Sequence, residues 1–183
     1  MKKKLAIYPG TFDPITNGHL DLVERGLRIF DELIIAVAPS SKKQPLFDLS
    51  ERLGMIRAAV VKYRNVKVES FHGLLVDYAK LKNGIAVIRG LRAVSDFENE
   101  FQMALMNRRL DMNIETVFLM PSVDYSFLSS TIVKEVASFG GSIKYLVPEA
   151  VEIALREKYN TQRGHTGHVP LRQPRPGRQR KLA

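Results

Sequence analysis

The sequence predicts a doubly wound α/β domain, a parallel sheet covered by helices on both faces. Three observations predict it. Short apolar runs recur along the chain, segments with apolar residues at three- and four-residue spacing separate them, and a polar, glycine-bearing turn joins the first run to the first such segment. Leu5 to Tyr8, after the basic start Lys2 to Lys4, suits a buried parallel strand that breaks at Pro9-Gly10. Leu20, Val23, Leu27 and Phe30 then recur at helical spacing. Leu33 to Ala38, Val66 to Ser70, Ile85 to Ile88 and Thr116 to Met120 read as further strands. Ser50-Glu51-Arg52, Val94-Ser95-Asp96 and Pro148-Glu149 open helices. Ligands of such a fold are expected beyond the carboxyl ends of the strands, where strand order reverses.

Composition narrows the class. At 183 residues, 45% hydrophobic and 26% charged, the chain fits one domain with a substantial core, expected over residues 1–160. Cysteine is absent, which excludes disulfides, thiolate metal sites and cysteine nucleophiles and is compatible with a reducing cytoplasm, the compartment expected here. No apolar run approaches the ~20 residues that span a bilayer. Six of the nine net positive charges lie beyond Thr161, on Arg163, Arg172, Arg175, Arg178, Arg180 and Lys181, with no acid among them. That tail, residues 161–183, has three prolines, three glycines and little to bury, the composition of a disordered segment. An RNA-binding arm and a dispensable extension are its two readings; the first rests on charge alone, without aromatic interleaving.

The residues with chemistry cluster at predicted strand ends. In Tyr8 to Leu20, His19 falls in the first helical turn, where unpaired backbone N–H groups and the positive end of the helix dipole attract anions. Arg89-Gly90-Leu91-Arg92 ends the fourth run: guanidinium groups grip phosphate through paired hydrogen bonds, and Gly90 lets backbone approach a nucleotide. The helix after it is expected to bury Phe97, Phe101, Ala104 and Leu105 and to turn Asp96, Glu100 and Asn107 elsewhere. Glu100 then accepts from a ribose hydroxyl or balances Arg89 and Arg92. After Met120-Pro121, one of Ser129, Ser130 and Thr131 caps a helix whose backbone donors suit phosphates. Ser40 to Phe47 is a polar loop of the kind that closes over substrates. Neither G-x-G-x-x-G nor a P-loop is present, nor H-E-x-x-H, a zinc spacing or an EF-hand loop. A metal is therefore expected to arrive with nucleotide phosphates.

Thr16-Asn17-Gly18-His19 resembles the first signature of the nucleotidyltransferase superfamily that shares its H-x-G-H-type motif with class I aminoacyl-tRNA synthetases, with Thr16 in place of the first His. Leu128 to Lys134 is similar to the second, I-S-S-T-x-I-R, with Lys134 in place of Arg. The strings GTFDPITNGH and RGLRAVSDFENEF narrow the resemblance to the bacterial family that adenylylates 4′-phosphopantetheine, and the resemblance covers Lys4 to Lys158. Superfamily relatives acting on glycerol phosphate or nicotinate mononucleotide share the Thr/His turn, but RGLRAVSDFE argues against both.

The resemblance implies a single Rossmann-like domain that transfers the adenylyl group of ATP to 4′-phosphopantetheine, giving dephospho-coenzyme A and pyrophosphate without a covalent enzyme intermediate. It implies a catalytic His19 that stabilises the transition state. The ATP site it implies comprises Thr11, Phe12, His19, Gly90, Leu91, Arg92, Glu100, Tyr125, Ser126, Phe127, Leu128, Ser129, Ser130 and Thr131. The acceptor site comprises Thr11, Lys43, Leu75 and Arg89; the family's K-x-P-x-F pattern selects Lys43 over Lys42, and Leu75 on composition alone reads as core. Mg²⁺ bound with ATP, a homohexamer and inhibition by coenzyme A are also implied. Lys134 supplies charge without arginine's fork, so its phosphate contact does not follow from the signature.

Overall fold

The computed structural model describes residues 3–39, 45–92 and 94–166. Its sheet has five parallel strands in the order β3-β2-β1-β4-β5: β1 Leu5–Gly10, β2 Glu32–Val37, β3 Val66–Ser70, β4 Ala86–Gly90 and β5 Glu115–Leu119. Helices α1 Asn17–Gly26, α2 Leu49–Val60, α3 Leu75–Leu81 and α4 Val94–Leu110 connect them, and α5 Ser130–Ser138 and α6 Glu149–Thr166 follow. A 3-10 turn spans Val123–Tyr125. The expected strands and their parallel sense are all present.

Alternation along the strands divides the core in two. Ala6, Tyr8, Leu33, Ile35, Val37 and Ile88 face one side, against Leu22 and Val23 of α1, Met55 and Ile56 of α2, Val133 of α5 and Val151 and Leu155 of α6. Ile7, Ile34, Ala36 and Val87 face the other, against Val76, Tyr78 and Ala79 of α3 and Ile114. No helix among the described residues is long and apolar enough to cross a membrane.

Strand β1 runs through the Pro9-Gly10 break, because its register with β2 continues to Pro9↔Ala36 and Gly10↔Val37. Its ladder with β4 holds only Ala6↔Ala86 and Ile7↔Val87. The Pro9 carbonyl faces the β4 side, where it accepts from Arg89 Nη1 at 3.4 Å. In a parallel strand a residue's N and O point the same way, so the N–H that Pro9 lacks would have met a ladder already opened.

One expectation needs correction. Phe97, Phe101 and Leu105 are not core: all three are exposed, Phe97 stacked on Phe101 at 5.4 Å and tilted toward Phe118 of β5 at 6.3 Å. Asn107, expected on another face, is the buried one. Apolar residues ring α4, with Met103, Met106 and Leu110 exposed as well, so periodicity carries no phase that says which side turns inward. Helix α6 runs to Thr166.

Candidate active site

Where strand order reverses between β1 and β4, the early end of their ladder leaves a crevice of about 400 Å³. Tyr8 to Phe12 form one wall, Arg89, Gly90 and Arg92 another, and the amino ends of α1 and α5 close it with Thr16, Gly18, His19, Leu128, Ser129, Ser130 and Thr131. Leu22, Pro121 and Tyr125 complete the lining. Gly90 packs closely against α1 at this point: a Cβ there would meet Leu22 Cδ1 at 2.4 Å, so that side chain would have to shift.

His19 is held by a reciprocal cap. Thr16, the N-cap of α1, accepts the His19 backbone N–H on Oγ1 at 3.4 Å, while His19 Nδ1 accepts the Thr16 backbone N–H at 3.0 Å. Thr16 Oγ1 also lies 2.9 Å from Nδ1. An imidazole thus takes the part that Glu or Gln plays in the usual capping box. With Nδ1 accepting a backbone proton, the neutral ring must carry its own proton on Nε2, which makes Nε2–H a donor. Burial, reinforced by the charge of Arg92, lowers the His19 pKa from 6.5 to about 4, so the ring is neutral at pH 7. Phe12 supports it edge-on at 5.2 Å and is itself fixed in a left-handed conformation, φ 48°. Few non-glycine residues adopt that backbone, and such strain gathers at functional sites.

Two side chains that sequence reading passed over pin the turn before His19. Arg52, buried on α2, donates to the carbonyls of Thr11 at 2.7 Å and Ala38 at 3.0 Å. Asp13, also buried, accepts the N–H groups of Leu46 and Phe47 at 3.0 Å each and pairs with Lys134 Nζ at 2.5 Å. Burial alone would raise the Asp13 pKa, but Lys134 and the two N–H donors outweigh it and hold it below its usual value. Lys134 is therefore committed to Asp13 and lies outside the crevice lining. No local signal marks either partner, because 41 positions separate Arg52 from Thr11 and 121 separate Lys134 from Asp13.

Of the residues named from sequence, Thr11, Phe12, His19, Arg89, Gly90, Arg92, Tyr125, Leu128, Ser129, Ser130 and Thr131 line the crevice together. Ser129 is the cap of α5, accepting the Ile132 N–H at 3.2 Å, while Ser130 Oγ donates to the Pro14 carbonyl at 2.7 Å and ties α5 to the first turn. Leu91, Ser126 and Phe127 flank the lining: Leu91 N–H extends the ladder to Leu119, and Ser126 Oγ donates to the Val123 carbonyl. Glu100 also stands behind it, clasping Arg89. Leu75 packs against the second core cluster, as its composition suggests, and is not brought into the crevice. Lys43 lies outside the described residues.

Neither α1 nor α5 has an acidic residue in its first turn. Among the described residues the lining offers hydroxyls, N–H groups, a neutral imidazole and two guanidinium groups, and no carboxylate. Such an arrangement binds polyphosphate and stabilises charge that develops on it.

Comparison with known proteins agrees with that chemistry. Residues 7–136 match the cytidylyltransferase-like family model. A phosphopantetheine adenylyltransferase of Carboxydothermus hydrogenoformans is 56% identical over 159 residues, covering 87% of this chain and 98% of that protein. Another, from Thermodesulfovibrio yellowstonii, is 61% identical over 157 residues, covering 85% and 98%. Among solved structures, a provisionally named nicotinate-nucleotide adenylyltransferase from Vibrio parahaemolyticus superposes with a TM-score of 0.64 at 20% identity, over 86% of this chain and 95% of that one. At that identity the likeness speaks for the fold alone.

Proposed function

The chain belongs to the cytidylyltransferase-like nucleotidyltransferases and, within them, to the phosphopantetheine adenylyltransferase family, and from that premise we propose how its crevice works. The reaction is transfer of the adenylyl group of ATP to 4′-phosphopantetheine, giving dephospho-coenzyme A and pyrophosphate. The acceptor's phosphate oxygen attacks the α-phosphorus of ATP, the bond to the β-phosphate's bridging oxygen breaks, and pyrophosphate leaves in line. The nucleophile is already an anion, so no covalent enzyme intermediate and no general base is needed; positioning and charge stabilisation do the chemistry.

The observation that carries this reading is the His19 cap. It supports a neutral imidazole aimed as an Nε2–H donor at α-phosphate oxygens, whose charge grows as pyrophosphate departs. The acid-free amino ends of α1 and α5, with Arg92, hold the ATP phosphates, and the hydroxyls of Ser129, Ser130 and Thr131 stand at the second of these ends. Thr11, its carbonyl turned to Arg52, bridges the two substrates, and Arg89 takes the acceptor's phosphate with Lys43. Mg²⁺ bound with ATP would offset phosphate charge, and the hydroxyls of Ser129, Ser130 and Thr131 in the crevice lining fit a metal brought in on the phosphates.

The exposed Phe97, Phe101 and Leu105 of α4 support assembly, and a homohexamer in the cytoplasm, inhibited by coenzyme A, completes the proposal. Light scattering that gives a monomer would remove the assembly. The activity is tested by pyrophosphate release from ATP. Release is expected only with phosphopantetheine present, and release driven equally by nicotinate mononucleotide or glycerol phosphate would overturn the acceptor.

A further inference from the structure

Arg89 ends β4, and Glu100, two turns into α4, holds it by one particular edge. Glu100 Oε2 accepts Arg89 Nε at 2.5 Å and Oε1 accepts Nη2 at 2.5 Å. A guanidinium group has two edges that can each make a paired contact, Nε with Nη2 and Nη1 with Nη2. Glu100 occupies the first. Nη1 donates one proton to the Pro9 carbonyl at 3.4 Å, which leaves each terminal nitrogen one further N–H, and Glu100 is the carboxylate paired with Arg89 among the described residues. Arg89 lines the crevice; Glu100 does not.

We propose that Glu100 is a positioning residue: it clasps the side edge of Arg89 and thereby presents the end edge to two oxygens of the acceptor's phosphate. This rests on the reading that Arg89 binds that phosphate. It differs from a direct contact between Glu100 and ATP, which the family resemblance implies. An unclasped arginine has many rotamers, whereas the paired contact holds the planar fork ready for a bidentate grip. The Pro9 carbonyl supplies a third fixed point, so both strands that border the open ladder aim the same side chain.

Steady-state kinetics of Glu100→Gln, Arg89→Ala and the double variant test it, with circular dichroism establishing that each is folded. Each single change is expected to raise the phosphopantetheine KM by roughly tenfold or more, leaving the ATP KM within about twofold, since a charge-assisted bidentate contact is lost in either case. The double variant is expected to be no worse than Arg89→Ala within about twofold, because no arginine remains to be positioned. Multiplying losses, or a Glu100→Gln effect on the ATP KM in place of the acceptor's, would overturn the positioning role while leaving Arg89 in place. An Arg89→Ala enzyme with an unchanged acceptor KM would overturn the assignment of Arg89 and the proposal with it.

Discussion

Helices α1 and α2 begin with the same device and use it for opposite ends. In α2, Asp48 accepts the Glu51 N–H at 2.8 Å and the Glu51 carboxylate accepts the Asp48 N–H at 2.8 Å. In α1, Thr16 and His19 make the same reciprocal pair. The difference is charge. Two carboxylates neutralise the positive end of α2, whereas a hydroxyl and a neutral imidazole satisfy the N–H groups of α1 and leave its dipole unopposed. The contrast recurs among the helices whose first turns are described: α5, at the crevice, has no acid there, while α3 and α6, away from it, carry Asp77 and Glu149 with Glu152. A cap stabilises a helix whatever its charge; only a cap without carboxylates leaves a site for phosphate.

The largest break in this comparison comes from His19→Ala. It is expected to lower turnover by roughly a hundred- to a thousandfold while substrate affinities stay within about tenfold, since the donor acts on charge that appears in the transition state. Turnover within a few-fold of the parent, in a folded variant that binds both substrates, would make His19 a spectator. Thr131→Glu places an acid in the first turn of α5 and should weaken ATP binding by roughly two- to tenfold, less at high salt, without loss of stability. An unchanged ATP KM at low ionic strength would show that this helix end does not face the nucleotide.

Acid titration sharpens the comparison from the side of stability. Between pH 6.5 and about 4 the unfolded chain binds a proton at His19 that the folded chain does not, so stability falls as pH falls through that window. His19→Gln should flatten this slope in urea denaturation curves; an equal slope would place the ring in a less buried setting. The smallest kinetic effect belongs to Glu51→Ala. It should cost about 1 kcal/mol of stability through the lost cap and the loss of Lys158, its partner at 2.8 Å, with kcat unaltered. A kinetic defect in that variant would erase the functional distinction between the two caps.

What the sequence by itself determined is what depends on neighbours in the chain. Alternation and helical spacing mark the strands and helices because each period is set by local geometry, and the T-x-G-H and S-S-T strings mark helix ends because caps are made within three or four residues. His19, Arg89, Gly90, Arg92 and Ser129 to Thr131 were legible for that reason, whereas Thr11, Phe12, Tyr125 and Leu128 were named only by the family resemblance. Only the tertiary structure decided which long-range partners those residues meet: Asp13 with Lys134, Arg52 with the Thr11 carbonyl, Glu100 on one edge of Arg89. It also decided that Phe97 and Phe101 face outward, since a helix apolar all round is phased only by what packs against it. Even the tautomer of His19 belongs to both levels, chosen by a backbone N–H three residues away and made useful by a ladder that opens between β1 and β4.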